Sequence, residues 1–261
     1  MAAAKRALKG WSALGYEGRR PLIERMADTM ATNRDLIAQT LTRERGGPIA
    51  DCLLEVDRAA AAIRHFAGQK LEDRIVRDTA QELIIEQRYP QGVVVAIMPW
   101  NRPMTLLAFK FGPALITGNT LIIKPAPSTP LSTLLLGELA AEIFPAGVVQ
   151  TLVDANDLGP LLTSHPDIAH VSFTGSTPTG KKVLGAAAGT LKRFTLELGG
   201  NDAAIVLDDA DPEWAAERIF ASAMINAGQG VLRRQARLCP APPVQRRSRC
   251  PRKACCGSGA R

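Results

Sequence analysis

Apolar residues recur at helical spacing from residue 21 to residue 69: Leu22, Met26 and Met30, then Leu36, Ile37 and Leu41, then Leu53, Val56, Ala60, Ile63 and Ala67. This periodicity predicts three amphipathic helices, each with one face on a core. Asn33 and Asp51 are candidate caps, and Gly46, Gly47 and Pro48 separate the second helix from the third. Beyond Glu82 the pattern changes to alternating strand and helix. Short β-rich runs occupy 83–86, 93–97, 120–123, 148–153, 170–173, 195–198 and 203–207. Helix-like stretches at 104–117, 131–143, 158–164, 180–188 and 212–225 separate most of them, the last with Asp211 as cap and Pro212 in its first turn. Strand, crossover helix and strand in succession predict an α/β fold: a parallel sheet with flanking helices on both faces, preceded by N-terminal helices. Ligands of such sheets bind beyond the carboxyl ends of the strands, so chemistry is expected in the loops after Ile97, Ile123, Phe173 and Leu198.

At Gly230 this pattern stops. Periodicity disappears and Arg, Pro, Cys and Gly dominate residues 230–261, a composition that buries too little surface to offset the entropy of ordering. The net charge of the chain is +7, but the tail holds nine Lys and Arg and no acid, which leaves the first 229 residues at −2. The basic character belongs to the tail, and the body offers no phosphate-tracking surface; the tail has charge without aromatic stacking residues, so no nucleic-acid partner is expected. Cys52 is the one cysteine of the body, while Cys239, Cys250, Cys255 and Cys256 lie in the tail. A body with one thiol has no disulfide framework, which favours a reducing, cytoplasmic location, and the tail spacing is a poor zinc signal, so no metal is expected. No apolar run approaches the ~18 residues that span a bilayer, and no membrane partner is expected.

Three strand ends carry unusual residues. After Ile97 come Met98, Pro99, Trp100, Asn101, Arg102 and Pro103, an amide side chain in a loop stiffened by two prolines. After Ile123 come Lys124, Pro125, Ala126 and Pro127. Phe173, Thr174, Gly175 and Ser176 form a small-residue turn into a helix, which suits a pyrophosphate because glycine lets the backbone approach and free N–H groups at a helix start favour an anion.

Taken together and in order, PWN-x-P, IIKPAPSTP, FTGSTPTG, LELGGN and NAGQ resemble the aldehyde dehydrogenase family, from the N-terminal helices to Gln229. The resemblance implies a Rossmann-like NAD- or NADP-binding domain over 92–229, with 1–80 as its N-terminal helical part, 81–91 as a remnant of an oligomerisation β-arm, and 230–261 as a tail foreign to the family. It implies that only the cofactor-binding half of the fold is present. By the match, Pro99, Trp100, Lys124, Phe173, Thr174, Gly175, Ser176, Leu198 and Gly199 line the cofactor site, with Lys124 on the adenosine ribose and Ser176 on the pyrophosphate. Asn101 is the expected oxyanion donor and Glu197 the expected general base. The implied reaction oxidises a small-molecule aldehyde to a carboxylic acid: a cysteine thiolate attacks, hydride passes to the nicotinamide, and water releases the acid from a thioester. Full-length relatives are expected to be homo-oligomers. Two departures stand out. Many relatives have an acid three residues after the lysine, where this chain has Pro127, so NADP is not repelled. Val153, Asp154, Ala155, Asn156 and Asp157 also lack the glycine usual near the adenine.

The family pattern Gly-Gln-x-Cys would put the nucleophile at 231, where Val231 stands. A non-catalytic dinucleotide-binding module is one explanation. The other is a reading-frame shift: with free choice of synonymous codons, residues 230–240 read one nucleotide later permit V-C-C-A-G-K-R-V-Y-V, which restores the cysteine. The chain as written is then truncated and is expected to be inactive.

Overall fold

The computed structural model describes residues 1–207 and 209–230; Val231, the tail cysteines and the expected disorder of the tail lie outside the described residues. The chain divides into two compact units, Met1–Leu198 and Gly199–Arg261.

The first unit begins with four helices, α1 (Ala2–Ala13), α2 (Gly15–Thr32), α3 (Arg34–Arg45) and α4 (Ile49–Ala67), rather than three starting at Pro21. Pro21 sits inside α2. Tertiary anchors override its helix-breaking tendency: Arg19 is buried and donates from Nε to the Ile116 carbonyl at 3.0 Å and from Nη1 to Ser12 at 2.9 Å. Trp11 Nε1 donates to the Leu115 carbonyl at 3.2 Å. The two expected caps act differently. Asn33 donates its amide back to the Thr29 carbonyl at 2.9 Å, and Asp51 lies within the first turn of α4, beyond the capping position. Gly46 ends α3 in the left-handed conformation (φ 76°), as a helix-terminating glycine commonly does.

An antiparallel pair follows, β1 (Arg74–Asp78) and β2 (Leu83–Glu86), so this ribbon starts before the segment 81–91 expected from sequence. Then come β3 (Val93–Ile97), α5 (Pro103–Ile116), β4 (Thr120–Lys124), α6 (Leu131–Ala141), β5 (Val149–Thr151), α7 (Leu158–Ser164), β6 (Ile168–Gly175), α8 (Thr177–Ala188) and β7 (Arg193–Leu198). The five strands form a parallel sheet in the order β5-β4-β3-β6-β7. Every residue of β3 and β4 is buried, which explains the apolar runs Val93 to Ile97 and Leu121 to Ile123. Val94 and Ala96 face a core built with α2 to α6, whereas Val93, Val95 and Ile97 face one built with α7 and α8. Each fully buried Leu or Ile here stabilises the fold by about 1.5–3 kcal/mol.

The second unit contains α9 (Pro212–Met224), capped by Asp211, whose carboxylate accepts from the Trp214 amide at 2.7 Å. The run 203–207 is not a strand: apart from one bridge at Ala203 its backbone is irregular, and Ile205 and Leu207 are exposed. Its alternating apolar residues meet no core that would fix them in extended form.

Candidate active site

The chain winds from β3 outward to β5 and then returns to place β6 on the other side of β3. This reversal opens a crevice at the carboxyl ends of β3 and β6, where ligands of open α/β sheets bind. The loop after β3 carries Pro99, Trp100 and Asn101, and the turn after β6 carries Gly175 and Ser176. Lys124 ends the strand flanking on one side, and Glu197 and Leu198 end the strand flanking on the other.

The β3 loop is fixed from below. Asn101 is 8% exposed, and its carbonyl accepts from Arg45 Nη1 at 2.7 Å. Arg45 is ion-paired with Glu55 at 3.1 Å, both side chains buried, and its Nη2 donates to Cys52 Sγ at 2.9 Å. Glu55 Oε1 in turn accepts the amides of Met104 and Thr105, at 3.0 and 3.4 Å. It thereby serves as the N-terminal cap that Arg102 does not supply to α5. Burial pushes the Glu55 carboxyl up, although Arg45 and the two amides oppose the shift. Trp100 stands half exposed at the rim, and its carbonyl accepts from Thr129 Oγ1 at 3.4 Å.

At the end of β6, a Cβ on Gly175 would lie 2.6 Å from the Phe173 ring, so any larger residue in this close turn would have to displace that ring. Ser176 caps α8: its Oγ accepts from the Thr179 amide at 3.3 Å and lies 2.9 Å from Thr179 Oγ1. Glycine, hydroxyl and the start of a twelve-residue helix together present donors suited to a pyrophosphate. Lys124, at the end of β4 and two strands from β6, is already ion-paired with Asp154 at 2.7 Å. The crevice therefore fits a dinucleotide.

Strand register brings Glu197 opposite Thr174 and Leu198 opposite Gly175, so the expected base stands beside the β6 turn. Of the residues expected from sequence, all but Gly199 lie in the first unit; Gly199 opens the second. In that second unit, the segment before Gly230 bends through Asn226 (φ 58°) and Ala227 (φ 54°), two successive left-handed residues, and the Gln229 amide donates to the Asn226 carbonyl at 3.0 Å.

One site residue escaped the sequence reading. Lys110, mid-way along the otherwise apolar α5, is 9% exposed, and its Nζ donates to Ser172 Oγ at 2.8 Å. Burial lowers its ammonium to about 8, and the charge of Glu197 partly opposes that shift. The available signal was a single cation among Leu106, Leu107, Phe109 and Phe111. His170 belongs to the same group: burial first, then the charges of Lys110 and Arg193, lower its pKa. Among the described residues no group of three His, Cys, Asp or Glu side chains could hold a metal, and no helix is long and apolar enough to cross a membrane.

The family model for the aldehyde dehydrogenase family matches residues 1–236. Aldehyde dehydrogenase LUC3 of a Fusarium species is 42% identical over 227 residues, which cover 87% of this chain and 48% of that protein. The NADP(+)-dependent succinate-semialdehyde dehydrogenase GabD of Escherichia coli is 40% identical over 232 residues, 87% of this chain and 48% of GabD. The crystal structure of PnpE in complex with nicotinamide adenine dinucleotide superposes with a TM-score of 0.83 at 42% identity, over 88% of this chain and 48% of PnpE. The chain thus spans about half the length of the relatives it matches.

Proposed function

The chain belongs to the aldehyde dehydrogenase family, and from that premise we propose that its crevice serves the oxidation of an aldehyde to a carboxylic acid with NAD(P)+ through a cysteine thioester. The observation that carries this reading is the convergence of Asn101, Ser176 and Glu197 on the carboxyl ends of neighbouring strands. Pro99, Trp100, Lys124, the turn from Phe173 to Ser176, Leu198 and Gly199 hold the dinucleotide, whose nicotinamide accepts a hydride when bound. Asn101 directs its amide at the oxygen that becomes negative when a nucleophile adds to the aldehyde carbon, on a loop that Arg45 and Glu55 keep from relaxing. Glu197 takes the proton of the attacking thiol or water. Lys110, whose ammonium burial lowers to about 8, feels the charge of Glu197.

The domain reading follows the same premise. Residues 1–80 and 92–229 build the cofactor domain, residues 81–91 belong to an arm that docks on a second copy, and Cys52, the one cysteine of the first 229 residues, suits the cytoplasm. Residues 230–261 are read out of frame, and sequencing the gene across codons 228–240 tests this: an extra or missing base is expected, and an unambiguous in-frame read overturns it.

Val231 at the expected nucleophile position favours a second reading, a dinucleotide-binding module without turnover. Calorimetric titration with NAD+ and NADP+, paired with absorbance at the reduced-nicotinamide band in the presence of aldehydes, separates the readings. Binding without turnover is expected of the chain as written, and turnover after Val231 and the following residues are replaced by the restored frame. If neither dinucleotide binds, the site assignment fails.

A further inference from the structure

Lys124, which the dinucleotide reading of the crevice puts on the adenosine ribose, forms a closed ion pair with Asp154. Lys124 Nζ lies 2.7 Å from Asp154 Oδ1, and the two side chains are 5% and 1% exposed. Asp154 Oδ2 accepts the Leu158 amide at 2.9 Å, at the first turn of α7, whose own cap residue Asp157 makes no side-chain bond. Each carboxylate oxygen thus has a separate task, and the lysine has a second, longer bond to the Pro125 carbonyl at 3.4 Å. Burial alone would raise the Asp154 carboxyl, but Lys124 and the backbone amides outweigh it and hold it below the usual carboxylate range.

We infer that Asp154 is a specificity-determining residue that acts through Lys124, so that the site takes the dinucleotide with a free 2′-hydroxyl and rejects the 2′-phosphorylated one. The inference rests on the dinucleotide reading of the crevice. A 2′-phosphate brings nearly two negative charges at neutral pH. A lone lysine would attract it, whereas a lysine already neutralised by a buried carboxylate within hydrogen-bond reach presents no net charge and sets an anion against an anion. A neutral ribose hydroxyl meets no such repulsion and finds a remaining ammonium proton. Pro127, three residues beyond the lysine, supplies no acid; Asp154 supplies it from the next loop.

The test is calorimetric titration of the full chain with ADP-ribose and with its 2′-phosphorylated form. The unmodified protein is expected to bind ADP-ribose at least about tenfold tighter, or about 1.4 kcal/mol; equal or tighter binding of the phosphorylated ligand overturns the inference without need of any variant. In Asp154→Asn the ratio is expected to fall by about tenfold or to invert, because Lys124 recovers its free charge. General loosening of the loop would weaken both ligands alike and leave the ratio unchanged, which also overturns the inference. If neither ligand binds the unmodified protein, the dinucleotide reading itself falls and takes this one with it; if both bind with an unaltered ratio in the variant, the inference falls alone.

Discussion

Lys110 is kept charged in a place that penalises charge. Its ordinary value is 10.5, and burial lowers it to about 8, a difference that corresponds to about 3 kcal/mol. Between those two values the folded chain binds fewer protons than the unfolded chain. The lysine therefore destabilises the fold fully below about pH 8, and the penalty fades as pH rises to 10.5. Lys110→Met, which keeps the stem that packs among the α5 residues, is expected to stabilise the chain by about 1–3 kcal/mol at pH 7, with the gain vanishing near pH 10.5. Urea denaturation at several pH values measures this; a gain independent of pH would refute the assignment of the penalty to the charge. A residue that costs stability at neutral pH and touches the electrostatics of Glu197 is the kind that active sites retain. A smaller strain sits in the second unit. Ala227 has a left-handed φ of 54° without being glycine, and Ala227→Gly is expected to stabilise that turn by up to about 1 kcal/mol, visible as a raised melting midpoint.

At the scale of elements, the loop after β3 owes its shape to α3 and α4. Arg45 and Glu55 are buried together, so removing either leaves the other's charge without its partner; Glu55→Gln or Arg45→Met is expected to cost about 3–5 kcal/mol. Hydrogen exchange should show the amides of Met104 and Thr105 losing protection first, because Glu55 is their acceptor; protection loss spread evenly over the sheet would contradict the capping role. Nothing in the sequence announced this pair. Arg45 and Glu55 read as ordinary polar positions on amphipathic helices, and their meeting with Asn101 depends on how α3, α4 and α5 pack. The strands β3 and β4 were legible because all of β3 and the centre of β4, Leu121 to Ile123, are apolar and both sheet faces are covered. The motifs that hold Asn101, Lys124, Ser176 and Glu197 were legible by their order, and the sheet topology puts all four at the carboxyl ends of strands. What failed to show was decided by tertiary contact. The β1 residues Arg74 to Asp78 mix charge and aliphatic groups and become a strand only through β2. Residues 203–207 carry strand-like composition, yet no core fixes them, and Pro21 looks like a helix boundary until the Arg19 anchors are known.

At the scale of the whole molecule, the β1–β2 ribbon is an apolar surface left open among the described residues. Ile75, Val76, Leu83, Ile84 and Ile85 are all exposed, on both faces of the ribbon. A two-stranded ribbon is marginal by itself in water, and five exposed aliphatic side chains on its two faces point to burial against something outside this chain. Homo-oligomers are the common solution, and an exposed strand edge offers backbone donors and acceptors as well as side chains. The chain is therefore expected to self-associate through this ribbon. Light scattering after size exclusion should give at least twice the 27.9 kDa chain mass. The double substitution Ile75→Lys and Ile84→Lys should return the monomer mass while leaving the melting of the parallel sheet nearly unchanged, since neither side chain belongs to its core. A wild-type chain that runs as a monomer at high micromolar concentration would sink the expectation. Association that survives both lysines would move the contact to another exposed apolar surface of the first unit, the outer strand β7 with Phe194 and Leu198, where the same measurement on Phe194→Lys decides.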